Sequence, residues 1–257
     1  MSLRIAIPAR FASTRLPGKP LRLIAGEPLV VHTVRRALAC GADEVVLATD
    51  HAGIAAAVAG LPVRVCMTPA DLATGSDRLA WCARTLGWAD EDLVVNLQGD
   101  EPLVPVAAIA RVVATLAADP APVATLATPI HDAAEAFDAN VVKVVRDGRG
   151  RALYFSRAPI PWQRDAYARD PGRLPADAGL LRHLGLYGYR AGFLRGFPDL
   201  PGCALEQAEA LEQLRILAAG HAIAVAIVQE RLPPGVDSEA DIAAVEAALA
   251  AGEGARR

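Results

Sequence analysis

Short apolar runs alternate along this chain with longer segments whose apolar residues recur every three or four positions. Runs rich in Val, Ile, Leu and Ala predict strands at Leu3–Ile7, Glu44–Thr49, Val63–Met67, Leu93–Leu97, Val123–Ala127, Val141–Arg146, Leu184–Arg190 and Ile223–Gln229. Helical spacing predicts helices over Pro28–Cys40, Ser76–Leu86, Val106–Ala118, Leu205–Ala219 and Glu239–Ala251. In the first of these, Val30, Val34, Ala37 and Leu38 share a face, and Gly41 is a natural C-terminal stop. Ser238 and Asp241 make a capping pair at the start of the last. Strand–helix alternation over the first half implies right-handed crossovers and a mainly parallel sheet, so the class is α/β. From about 148 to 182 the pattern lapses into Gly, Pro and Arg, which reads as an excursion from the main sheet. No internal repeat emerges, and Gly252–Arg257 reads as a frayed tail.

Composition narrows the function classes. A chain of 257 residues can bury a large core as one domain, with or without a subdomain. Although 53% of its residues are hydrophobic, none of its apolar stretches reaches the roughly 18 residues of a membrane span, so membrane insertion is not expected. The N-terminus carries no long apolar stretch of the secretory kind. Cys40, Cys66, Cys82 and Cys203 are scattered without metal or disulfide spacing, which fits a reducing cytoplasm. A net charge of −3 gives no reason to expect a nucleic-acid partner.

Local charge then carries the chemistry. After the first predicted strand, Arg10, Arg15 and Lys19 sit in one loop broken by Pro17, Gly18 and Pro20. Loops at the carboxyl ends of buried strands bind ligands in open α/β sheets. Three cations there suit a polyphosphate and the charge that grows on departing pyrophosphate. The loop is not a Walker A motif, which would need Gly at position 13 and Ser or Thr at position 20, where this chain has Ser13 and Pro20.

Several further segments each allow two readings. Gln98-Gly99-Asp100-Glu101-Pro102 ends a buried strand; Asp100 suits a magnesium ion or simple turn chemistry equally. Asp237 offers a second carboxylate, yet an Asp-Ser pair before a helix reads first as a cap. Thr74-Gly75-Ser76-Asp77-Arg78 opens a helix and suits either a nucleotide or a cap. His183, Gly185, Tyr187 and Tyr189 share one face of a strand, a surface that suits hydroxyl and carboxylate groups. Glu209, Glu212 and Gln213 are neighbours if Leu205–Ala219 is one helix, and taken alone they form an ordinary acidic face.

Together these segments resemble the 3-deoxy-manno-octulosonate (KDO) cytidylyltransferase family. The resemblance rests on Ile7–Arg10 with Arg15–Leu21, Gly75–Arg78, Val95–Pro102, Asn140–Lys143, Phe155–Pro161, His183–Tyr187, Leu211–Arg215 and Gly235–Asp237, in order along nearly the whole chain. It implies a Rossmann-like nucleotide-diphospho-sugar transferase fold. The expected form is a single domain over 1–257, with about 148–200 as a dimerisation and sugar-binding excursion. It also implies a reaction in which CTP and KDO give CMP-KDO and pyrophosphate for the lipopolysaccharide inner core, with Mg2+ and a cytoplasmic homodimer. On that resemblance Arg10, Arg15 and Lys19 hold the triphosphate, and Asp100 and Asp237 hold the metal. Thr74, Gly75, Ser76, Arg78 and Gln98 then hold the nucleoside, while Arg157, His183, Tyr187, Glu212 and Gln213 grip KDO. One departure stands out: Leu72 occupies a position where the family usually has His. The competing readings are a cytidylyltransferase for 8-amino-KDO or sialic acid, and a nucleotide sensor without catalysis.

Overall fold

Apolar β-rich runs and Ala-rich amphipathic segments account for the elements of the computed structural model, which describes residues 1–12, 16–170, 172–175 and 178–252. In chain order they are β1 (Leu3–Ala9), β2 (Leu23–Ile24), β3 (Glu27–Pro28), α1 (Leu29–Leu38), β4 (Glu44–Thr49), α2 (Ala52–Ala57), β5 (Arg64–Met67) and α3 (Gly75–Thr85). There follow β6 (Leu93–Asn96), α4 (Val106–Ala118), β7 (Val123–Pro129), α5 (Ala133–Phe137), β8 (Lys143–Arg146), β9 (Ala152–Ser156) and α6 (Arg164–Tyr167). The chain ends with β10 (Leu181–Arg190), α7 (Ala191–Gly196), α8 (Ala204–Glu209), α9 (Gln213–Ala218), β11 (Ile223–Ile227) and α10 (Glu239–Ala250). No described helix is long and apolar enough to cross a membrane.

Two compact units emerge: Met1–Val113 with Leu186–Pro198 and Leu232–Arg257, and Ala114–Gly185 with Asp199–Arg231. In the first, β1 lies between β6 and β4, parallel to both, and β5 extends the sheet in parallel beyond β4. The second half of β10 closes the other side antiparallel to β6, with Tyr187 opposite Asn96. Ile5, Ala6 and Ile7 of β1 and Val46, Leu47 and Ala48 of β4 are fully buried, as expected of parallel strands covered on both faces. A separate apolar cluster joins Leu16, Ile24 and Leu29 to Val236, Ile242 and Val245. That cluster brings the loop after β1 to the segment before α10.

In the second unit β7 and β11 pair in parallel, and β8 and β9 form an antiparallel hairpin. The hairpin falls partly in the segment expected to leave the sheet: β9 was missed because its exposed Leu153 breaks the alternation of a half-buried strand. A second expectation is corrected here. Leu205–Ala219 is not one helix, because Ala210 adopts a left-handed φ of 51° between α8 and α9. The break lets Leu211 turn inward and bury. Glu209 therefore ends one helix while Glu212 immediately precedes the next without a side-chain cap bond, and the acidic face inferred from helical spacing does not form.

Candidate active site

Parallel pairing of β1 with β6 sends two loops off the same edge of the first unit's sheet: the basic loop from Arg10 and the Gln98–Asp100 turn. They line a cleft of about 480 Å3, together with Thr74, Gly75 and Asp237. Glycine is required at position 99, because a Cβ there would lie 2.8 Å from Pro8 O. The Gly99 N–H instead donates to Pro8 O, and Thr33 Oγ1 donates to Gly99 O, which pins the turn from both sides. Gly75 is tight for the same reason, its Cβ position lying 3.3 Å from Pro8 Cγ.

The nucleotide-loop candidates split. Thr74 and Asp77 form a reciprocal cap on α3: Asp77 N donates to Thr74 Oγ1 and Thr74 N to Asp77 Oδ2, both at 3.1 Å. That cap leaves the start of the helix bordering the cleft with its chain direction set. Ser76 is buried. Arg78 borders the cleft, but its guanidinium is committed to Asp50 at 2.9 Å, Thr68 Oγ1 at 2.5 Å and Pro69 O at 3.0 Å. It braces the wall. Gln98 Nε2 donates to Asn96 Oδ1 at 3.3 Å. Arg10 is exposed at the rim. Arg15 lies outside the described residues.

Lys19 is the centre of the cleft's electrostatics. It opens a short 3-10 turn after Gly18, whose φ of 65° is the left-handed conformation that glycine tolerates best. Its Nζ donates to Asp100 Oδ2 at 2.6 Å and to Asp237 Oδ1 at 2.9 Å. Burial pulls the lysine's pKa down, but the bonds and charges of Asp100 and Asp237 win and hold it above the usual range. The sequence offered Asp237 first as a helix cap. In the fold, Ser238 does the capping with Asp241 as its reciprocal partner, which leaves the Asp237 carboxylate for Lys19. The position of Asp237 follows from its backbone: Asp237 N donates to Asp241 Oδ2, and Val236 N donates to Asp100 O at 2.9 Å.

Glu101 was missed as a group with chemistry of its own. Burial first, and the neighbouring Asp100 charge second, push its pKa up to about 8. Its Oε2 is buried with no hydrogen-bond partner among the described residues. Two adjacent acids after a buried strand were the available signal.

The sugar candidates fall in two places. Tyr187 belongs to the first unit and stacks on Tyr189 with ring centres 5.9 Å apart. The other four lie in the second unit. Arg157 donates Nε to Glu209 O at 2.7 Å and Nη1 to Ala139 O at 2.9 Å. Glu209 in turn accepts from Arg157 N and Ser156 Oγ. Below them Lys143, fully buried, donates to Asp138 O, Val141 O and Arg157 O at 2.9, 2.5 and 2.6 Å. Thr125 Oγ1 donates to Leu184 O, so the 3.1 Å bond between His183 Nε2 and Thr125 Oγ1 takes its hydrogen from the imidazole. Burial pushes the His183 pKa down to about 3, so this ring is neutral. Gln213 is buried and Glu212 half-buried. Lys143 and Glu209 fell within segments noted from sequence but were given no role there, because their partners come from distant parts of the chain.

A cytidylyltransferase family model matches residues 5–223. The 3-deoxy-manno-octulosonate cytidylyltransferase of Stenotrophomonas maltophilia (strain R551-3) is 57% identical over 96% of each chain. The chain belongs to the 3-deoxy-manno-octulosonate cytidylyltransferase family. The enzyme of that name from Xanthomonas campestris pv. campestris (strain 8004) is 54% identical over 96% of this chain and 99% of its own. Among solved structures, CMP:2-keto-3-deoxy-manno-octonic acid synthetase complexed with CTP superposes with a TM-score of 0.88 at 40% identity, covering 98% of this chain and 100% of that one. A mixed, mostly parallel sheet flanked by helices is thus the fold of the family.

Proposed function

We propose that this chain transfers CMP from CTP to KDO, forming CMP-KDO and pyrophosphate for lipopolysaccharide inner-core synthesis. The observation that carries the reading is the meeting of Lys19, Asp100 and Asp237 in a cleft walled by Gly75 and Gly99. Family membership supplies the substrates.

Magnesium fits the residues present. Asp100 and Asp237 converge closely enough to share one ammonium, and both are hard oxygen donors. Among the described residues no cage of three or more His, Cys, Asp or Glu forms. Magnesium asks for less: one or two protein carboxylates and the substrate's phosphates. Asp100 and Asp237 would hold it, and it would supply positive charge to the nucleotide phosphates and acidify the attacking hydroxyl.

The chain's own residues do the rest. Arg10 and Lys19 hold the triphosphate and stabilise the charge that develops on pyrophosphate. Arg15 belongs with them by its place in the loop. Thr74, Gly75, Ser76, Arg78 and Gln98 are assigned to the nucleoside, Arg78 acting by bracing the wall. Arg157 is assigned to the sugar carboxylate, its guanidinium braced by two carbonyls so that little is lost in ordering it. His183, Tyr187, Glu212 and Gln213 complete the sugar set.

A homodimer is supported by Trp162, 57% exposed and in ring contact with Phe137 and Tyr167, since exposed aromatic clusters mark association surfaces. Trp162→Glu should lower the mass found by light scattering, and an unchanged mass removes that surface from the interface. Four free cysteines accord with a cytoplasmic setting.

The reaction is tested by pyrophosphate release from CTP and Mg2+, with KDO, 8-amino-KDO or sialic acid supplied separately. Release that depends on KDO, with little from the others, is expected. Release with another acid sugar alone overturns the KDO assignment, and none with any sugar overturns the reaction.

A further inference from the structure

We infer that Lys19 is an exchangeable internal counter-ion: its ammonium bridges Asp100 and Asp237 in the free protein and passes to the nucleotide's phosphates when a divalent cation takes the two carboxylates. The inference rests on the magnesium reading above and deepens it.

The carboxylates are fixed. Asp100 follows Gly99, which Pro8 and Thr33 pin, and its carbonyl accepts from Val236 N. Val236 is itself fully buried in the cluster with Leu16 and Leu29. Asp237 is anchored through its N–H to Asp241. Two carboxylate oxygens bonded to the same nitrogen stand close enough to repel strongly if left alone. They need a counter-charge in every state of the protein.

The lysine's backbone is fixed as well. Lys19 N donates to Leu16 O, Leu21 N donates to Gly18 O, and Pro20 is buried between them. Only the four-carbon stem is free to swing. Its two acceptors are carboxylates on a wetted cleft, with 30% of the Asp100 side chain and 45% of the Asp237 side chain exposed. A hydrated cation can reach them without the fold opening.

Ammonium and divalent cation compete for the same oxygens and repel one another. In the free protein, cation binding must therefore displace the ammonium from at least one of the two carboxylates. A triphosphate offers the displaced ammonium a new partner, so nucleotide lowers the barrier to cation binding. By reciprocity the cation tightens the nucleotide by the same factor.

The test is Mn2+ binding, read by the electron paramagnetic resonance of free Mn2+, with and without a non-hydrolysable α,β-methylene CTP analogue. Wild type should bind Mn2+ weakly alone and more tightly with the analogue. Lys19→Met should bind Mn2+ without nucleotide on the order of tenfold more tightly than wild type, the fold-change of one charge-assisted hydrogen bond no longer broken. The analogue's enhancement should shrink in that variant. Lys19→Arg should stay weak, since it keeps the charge. Lys19→Gln serves as a second neutral variant if Lys19→Met does not fold, and it should shift in the same direction. Unchanged or weaker Mn2+ binding by the folded neutral variant overturns the exchange. Asp100→Asn separates the two ideas. If wild type with the analogue binds no Mn2+, or Asp100→Asn binds it equally well, the metal site itself is wrong. If both behave as expected and the neutral variant does not tighten, only the exchange fails.

Discussion

Two lysines in this chain are held by their surroundings in opposite ways. Lys19 in the first unit faces two carboxylates in a cleft that water reaches, and its pKa is raised. Lys143 in the second is fully buried among three backbone carbonyls, and burial pulls its pKa down, against the Asp138 and Glu209 charges. Carboxylates carry full charge and can trade one cation for another. Carbonyls are fixed dipoles of the main chain and carry no full charge to trade for another cation. Lys19 is therefore suited to move during a reaction, whereas Lys143 holds the Asp138–Val141 turn and Arg157 in place.

This contrast can be broken at its largest effect by removing a carboxylate from the first region. Asp100→Asn should lower turnover by roughly two to three orders of magnitude, since it deletes charge that acts on the reacting phosphates. Its melting temperature should stay near wild type, because Asp100's backbone contacts survive. Near-normal pyrophosphate release would remove Asp100 from the chemistry.

The second region should answer mainly in stability. Lys143→Met removes three bonds; Asp138 O keeps the Val141 N–H, while Val141 O and Arg157 O lose the ammonium, and the change should cost about 2 kcal/mol, read by urea unfolding. If Lys143 holds Arg157 in place, any activity lost should appear as a raised KM for KDO with the KM for CTP unchanged. A variant as stable as wild type would show that the three bonds contribute little.

The smallest effects sharpen the comparison through pH. Glu101 in the first region has its pKa raised from 4.5 to about 8, so the folded protein holds a proton that the unfolded chain releases. Its contribution is full below pH 4.5 and is lost as pH rises towards 8. His183 in the second region is depressed from 6.5 to about 3. Its contribution is present above pH 6.5 and is lost as pH falls, because the unfolded chain takes up the proton first. Glu101→Gln should flatten the alkaline side of a melting-temperature profile, and His183→Gln the acidic side. An unchanged slope on either side refutes that assignment.

Much of the first region was legible before folding. The basic loop, the Gly-Asp turn after a buried strand and the Thr74–Arg78 helix start are local patterns with local causes. The second region was less so. Periodicity joined α8 and α9 into one helix, because nothing near Ala210 signals a left-handed residue. Likewise, Glu209 acquires its role only from Ser156 and Arg157, more than fifty positions away.

By itself, then, the sequence determined the alternation of strands and helices, the edge at which the cations of the first loop gather, and the family. These follow from apolar periodicity and short motifs, which act over a few residues. Only the tertiary structure decided that Asp237 serves Lys19 and leaves the capping to Ser238, that Arg78 is spent on Asp50, and that Lys143 is a buried brace. Each of these depends on which donor meets which acceptor after distant segments pack, and that pairing is set by burial and distance in space.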